Sequence, residues 1–169
     1  LMTELPKREL KVEENLHYVK FVGQDDYVLA NKGITNWTQA LNASTDDGIQ
    51  YIAEAGKTSQ LTGYAPTVSY EGRAYPSDPF SFYLYTVGKD QIIGAQVEEV
   101  EVETWNPKSE VEGSYHAYHR IYEVQPDNPG SGEAGGKLTT SGTLAQIGDQ
   151  EKGVFALNTK QFTPDSQAV

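Results

Sequence analysis

A chain of 169 residues, 37% hydrophobic and 22% charged, has the length of one ordinary domain and a globular composition, enough to bury a core without covalent staples. Having no cysteine, it excludes a disulfide framework, thiolate metal ligation and a cysteine nucleophile. Its net charge of −11 is opposite to the basic stripe by which nucleic-acid binders release counterions.

The high count of turn-forming and β-favouring residues, 16 Gly, 8 Pro and 11 Tyr, sets the expectation of a mainly β protein. The opening "LMTELPKREL" has no apolar stretch of signal-peptide length, and no run in the sequence is long enough to cross a bilayer. The expectation is a soluble chain made in the cytoplasm.

In chain order, "TELPKRELKVEENLHYVKFVG" mixes charges with Val12, Leu16, Tyr18, Val19, Phe21 and Val22 without helical spacing. Residues 1–24 therefore read as an extended arm. "DDYVLANKGI" predicts a short strand from Tyr27 to Ala30 and a turn at Asn31 to Gly33. Residues 36–62 are too rich in small polar groups for a core element and read as one long loop, of a length that usually carries a function. "GYAPTVSYEGRAY" predicts a strand with Val68 and Tyr70 on one face. "SDPFSFYLYTVG" predicts a helix over 78–88: Ser77 or Asp78 caps it, Pro79 occupies the first turn, and Phe80, Tyr83, Leu84 and Val87 recur at helical spacing. Gly88 ends it.

The next segment, "QVEEVEVETWNP" over 96–107, alternates acid and valine. On a strand Glu99, Glu101 and Glu103 point the same way at roughly 6.6 Å intervals, while Val100 and Val102 face the core. Each neighbouring like-charged pair costs about 0.6 kcal/mol in water, less with salt, so a solvated outer face is an adequate account. Glu98 interrupts the alternation and predicts a bulge near Val97. "GSYHAYHRIYEVQ" carries aromatic or apolar groups on both faces, as in a strand that meets protein on each side. "PDNPGSGEAGG", within residues 125–136, reads as a loop. "GKLTTSGTLAQIGDQEKGVFAL" reads as two strands joined near Gly148 and Asp149, which closes a β domain over 25–157, and 158–169 reads as a loose tail. The architecture expected is a β-sandwich or open barrel with one short flanking α-helix and long loops.

Chemistry-bearing motifs are sparse. His116 and His119 are three apart, which sends them to opposite faces of a strand, and His17 is remote in sequence. A metal pair is not expected. The sequence has no phosphate-binding glycine loop, nucleophile elbow or zinc pattern, so no catalytic, cofactor-binding or metal residue is assigned. Asn36 and Asn42 head glycosylation-type triplets that carry no meaning without secretion.

The blocks "LANKGIT", "YIAEAGKTSQLTGYAPTVSYEGRAY", "DPFSFYLYTVG" and "GKLTTSGTLAQIGDQEKGVFAL" resemble the major tail proteins, or tail tube proteins, of long-tailed phages of Gram-positive bacteria and of phage-tail-like bacteriocins. The similarity runs from about Tyr18 to Leu157. It implies a structural virion protein, not an enzyme. Its copies would form hexameric rings that stack into a tail tube, with DNA as passing cargo and with tape measure, tail terminator and distal tail proteins as partners. By position it implies that Asp78–Val87 is the family's flanking helix. Residues 40–62 correspond to its long loop reaching a neighbouring subunit, with Phe21, Trp37, Tyr51, Ile52 and Tyr64 as inter-subunit contacts. The arm and the loop at 125–136 would add further contacts.

Beside that resemblance stands a physical expectation. A conduit for a polyanion needs walls that do not bind phosphate, and a weak acidic ladder repeated around a ring becomes a continuous negative lining. Glu99, Glu101 and Glu103 are therefore expected to face the bore. Two other classes remain open from sequence: a carbohydrate- or receptor-binding β-sandwich using Trp37, Trp105, Tyr115 and Tyr118, and a hydrolase built on two carboxylates.

Overall fold

The computed structural model describes residues 4–108 and 111–165. After a short 3-10 turn at Val12–Glu14 come β1 (Asn15–Phe21), β2 (Val28–Leu29), β3 (Ile34–Ala40), β4 (Ser44–Ile49), β5 (Thr58–Gly63) and β6 (Thr67–Arg73). Helix α1 (Pro79–Lys89) follows, then β7 (Gln96–Pro107), β8 (Ser114–Ser131), β9 (Thr139–Ala156) and β10 (Gln161–Pro164). The protein is mainly β with one short flanking helix, as expected from its composition and turn spacing.

One antiparallel sheet runs in the order β2, β1, β7, β8, β9, β6, β3, and β10 lies against the far half of β9. The sheet curls into a half-barrel whose two ends approach each other. His17 on β1 and Trp37 on β3 stand 4.8 Å apart, ring centre to ring centre. Gly142 permits part of this closure, since a Cβ there would sit 2.8 Å from the Gln125 carbonyl oxygen and against the Tyr70 phenol. Among the described residues, β4 and β5 pair only with each other and form a separate hairpin.

Alternation on the strands produces two apolar clusters, one on each face of the sheet. Inside the curl, Val19, Phe21, Val68, Tyr70, Val97, Tyr122, Val124 and Leu144 pack against Phe80, Leu84 and Val87 of α1. On the convex side Val100, Val102, Ala117 and Phe155 are buried under Tyr18, Tyr27, Tyr115 and Phe162. The helix starts where the sequence places it, with the Asp78 carboxylate accepting from the Ser81 backbone N–H at 3.0 Å and Pro79 in the first turn.

Several expectations give way to longer strands. The arm over 1–24 contains β1, which lies between β2 and β7, because its in-phase His17, Val19 and Phe21 face the interior; residues 1–3 lie outside the described ones. The stretch 36–62 is not a loop: it holds most of β3, then β4 and β5, whose backbone groups pair with each other despite their polar side chains. β8 runs on through Pro126 and Pro129 to Ser131, where loop composition is overridden by pairing with β9. β9 is continuous through Gly148 at φ +70°, and the expected turn is instead a shift in its register with β8, between Ile147 and Glu151. Part of the expected tail forms β10, while residues 166–169 lie outside the described ones.

Two local expectations change for physical reasons. Gly88 lies inside α1, not at its stop. A Cβ there would sit 2.7 Å from Cβ of Pro129, so its smallness lets β8 press on the helix. No bulge occurs at Val97, since β7 keeps register with both neighbours from Val97 to Val102, and its irregularity lies between Val102 and Pro107. Glu98 breaks only the sequence pattern, turning to the convex side where Tyr27 donates to it at 3.1 Å.

Candidate functional site

The strand that carries the glutamates also positions their partners. Antiparallel pairing sets Glu99 opposite Val19 on β1 and Arg120 on β8, and sets Glu101 opposite His17 and Tyr118. All of these project into the curl, past the apolar end plugged by α1. There the Arg120 guanidinium reaches Glu101 at 2.7 Å and Glu99 at 3.4 Å through one nitrogen, Nη1. His17 Nδ1 lies 2.8 Å from Glu99 Oε1.

Neutral donors complete the cluster. Asn15 donates to Glu101 at 2.9 Å and Gln39 from β3 donates to it at 3.1 Å, which ties the two ends of the curled sheet together. Arg120 Nε donates to Gln150 at 3.1 Å. Burial pushes the Glu101 carboxyl up, but the Arg120 hydrogen bond and charge, aided by Gln39, outweigh it and leave the group below its ordinary value. Burial likewise opposes the Arg120 charge, and Glu99 and Glu101 more than restore it.

The three glutamates do share one face, but they are not a bare acidic ladder. Glu99 is fully buried and Glu101 is 9% exposed, and both spend their charge on Arg120. Val100 and Val102 pack on the smaller convex cluster, whereas the glutamate side faces the larger interior. Glu103, at the mouth of the curl, is half-buried and accepts from Asn106 at 2.9 Å. The sequence signal for the missing partners was phase: Arg120 falls in step with core residues Tyr122 and Val124, and His17 with Val19 and Phe21. A basic group in step with core positions implies an acid beside it.

The residues expected at inter-subunit contacts divide. Tyr51 and Tyr64 are each 57% exposed, and Ile52 at the tip of the β4–β5 hairpin is fully exposed. Phe21 is not available: it is 9% exposed and stacks on Tyr83 at 4.2 Å. Trp37 is half-buried between His17 and Phe80. The aromatics considered for a binding platform are also engaged within the chain. Trp105 donates to Asn15 at 2.8 Å, Tyr115 joins the convex cluster and Tyr118 lies under the Arg120 guanidinium.

His119 lies on the convex side against Phe162, 3.5 Å from Glu98 and 4.0 Å from Glu151. No group of three or more His, Cys, Asp or Glu fit to hold a metal occurs among the described residues. No helix there is long and apolar enough to cross a membrane.

No family model matches the chain, and no curated protein matches it. Solved structures do share its fold. A chain in the tail of an empty GTA particle, refined with helical and C6 symmetry, superposes with a TM-score of 0.57 at 12% identity, covering 84% of this chain and 97% of that one. A chain in the virion of a native gene transfer agent particle gives a TM-score of 0.52 at 12% identity, covering 92% and 99% respectively. A chain of the six-fold symmetrised anti-feeding prophage baseplate aligns more loosely, with a TM-score of 0.46 at 11% identity over 89% and 97%. At such identities the likeness is one of fold.

Proposed function

We propose that this chain is a structural subunit of a phage-like tail, assembling as hexameric rings that stack into a tube for DNA delivery. The observation that carries the proposal is a hairpin outside the main sheet, with Tyr51 and Ile52 exposed at its tip, on a fold shared with a chain in a GTA particle's tail. A two-stranded hairpin with an exposed apolar tip gains little alone. In a ring, where one surface of each copy meets a different surface of the next, it has a partner at every position. The role is structural, with the virion tail as its place and tape measure, terminator and distal tail proteins as its neighbours. The resemblance in sequence blocks supports an origin among long-tailed phages of Gram-positive bacteria or bacteriocins derived from them.

The acid lining enters the proposal in a narrower form. Glu99 and Glu101 serve to hold β1, β3, β7 and β8 together, and bore-facing charge falls to half-buried Glu103 at the mouth of the curl. Glu103→Lys is expected to leave assembly intact and slow DNA release; unchanged release kinetics would place Glu103 away from the bore. Electron microscopy of purified protein tests the assembly itself, with six-fold rings or tubes expected and small monodisperse particles counting against it.

A further inference from the structure

We propose that the open side of the curled sheet holds a binding site for a neutral sugar, one or two hexose residues. The site goes beyond the tail-subunit reading and does not depend on it. The pocket has a volume of about 460 Å³, within the range of small-molecule sites, roughly 300–1,000 Å³. Its walls are the end of β3 with Gln39 and Leu41, the lead-in to β6 with Tyr64, and β9 from Gln146 to Gln150, while Arg120 and Tyr122 of β8 form its floor. β9 is shaped for this. It pairs with β8 up to Ile147 and again from Glu151, its pairing with β6 stops at Ala145, and β10 begins beside Gly153. Residues 148–150 are thus paired to no strand among the described residues, and stand together opposite Arg120. Such bulges re-aim side chains next to binding sites, and Asp149 and Gln150 line the pocket from this one.

Each polar side chain of the lining is half committed. Gln39 spends its amide nitrogen on Glu101 at 3.1 Å, Gln146 spends its own on the Gly148 carbonyl at 3.0 Å, and Gln150 spends its amide oxygen on Arg120 Nε at 3.1 Å. These bonds fix the amides in advance of binding, which lowers the ordering cost. They leave Oε1 of Gln39, Oε1 of Gln146, Nε2 of Gln150 and Nη2 of Arg120 without a hydrogen-bond partner among the described residues. Free acceptors and free donors therefore occur together, a mixture matched by hydroxyls, which do both. Charge narrows the class further. Arg120 is met by Glu99 and Glu101, and Asp149 adds a carboxylate, so an anionic ligand would meet net negative charge. At the rim, Leu41 and Tyr64 are 60% and 57% exposed, which gives the C–H face of a pyranose ring an apolar and aromatic surface to pack on.

The test is ligand-observed saturation-transfer NMR with glucose, N-acetylglucosamine, cellobiose and chitobiose. It is run on the wild type and on Ile52→Asp, so that an assembled and an unassembled pocket are both sampled. Expected is saturation of the sugar protons with a dissociation constant of about 1–10 mM, the strength of a few neutral hydrogen bonds in an open site. Tyr64→Ala and Gln146→Leu are each expected to weaken binding several-fold and to leave the melting temperature unchanged. Phe82→Ala, comparably exposed on α1 but outside the pocket, is expected to bind as the wild type does. No transfer to any of these sugars in either protein, at about ten times that concentration, overturns the proposal. Transfer that persists undiminished in both pocket variants also overturns it, because binding then lies elsewhere. A glucose phosphate ester that binds more tightly than glucose overturns the neutral ligand, and an equal response to glycerol overturns the sugar ring. Micrographs of the same samples report ring formation separately, so the failure of either reading leaves the other standing.

Discussion

Arg120 and Glu101 face each other inside the curled sheet at 2.7 Å, and the same guanidinium nitrogen lies 3.4 Å from fully buried Glu99. Two carboxylates that follow each other on one strand face thus share one cation. A buried charge is tolerated when paired and supplied with hydrogen bonds, and costly when its partner is removed. Arg120→Met is therefore expected to destabilise the chain by about 3–5 kcal/mol in urea denaturation. A change below about 1 kcal/mol would mean that the pairing contributes little to the fold.

Acid should weaken the same cluster. The Glu101 carboxyl is held below its ordinary value of 4.5, so its contribution is fully present above that value and lost as pH falls through the lower folded one. The wild-type melting temperature is expected to drop on acidification below about pH 4.5. Glu101→Gln, which cannot titrate, is expected to show lower stability at neutral pH and a shallower fall in acid. Parallel curves for the two proteins would remove Glu101 from the account.

Gly88 gives a test in which helix propensity and packing oppose each other. Alanine is favoured over glycine within a helix by roughly 1 kcal/mol, but a Cβ here meets Pro129 at 2.7 Å and Pro126 at 3.3 Å. Both are ring atoms of strand residues that cannot rotate aside, so overpacking of about 1–3 kcal/mol should prevail. Gly88→Ala is expected to lower the melting temperature, and a rise would show that β8 yields readily.

Ile52→Asp separates folding from assembly. The side chain is fully exposed at the tip of a hairpin outside the main sheet, so stability of the single chain is expected to change by less than about 0.5 kcal/mol. Ring formation, followed by sedimentation, is expected to be lost. Rings that persist at wild-type concentration would show that the tip makes no essential contact.

The sequence disclosed those features that are set locally. Asp78 and Pro79 mark the helix start, and the alternation of β7 marks its two faces, because capping and side-chain direction depend on a few adjacent residues. Long-range pairing was harder to see. The polar run over 44–63 forms a hairpin because its strands satisfy each other's backbone, and Pro126 and Pro129 are carried along within β8 because β9 continues beside them. The acidic row was visible, but its neutralisation required knowing that β8 lies next to β7. Only the phase of Arg120 with Tyr122 and Val124 hinted at this. The pocket between β3 and β9 was not legible, since it exists only once the sheet has curled.

The most direct test of the central claim is electron microscopy of the purified, cysteine-free protein at increasing concentration, with class averages and mass measured on the same samples. Six-fold rings with an open centre, stacking into tubes as concentration rises, are the expected result. A particle that keeps the mass of one chain at every concentration would contradict the account.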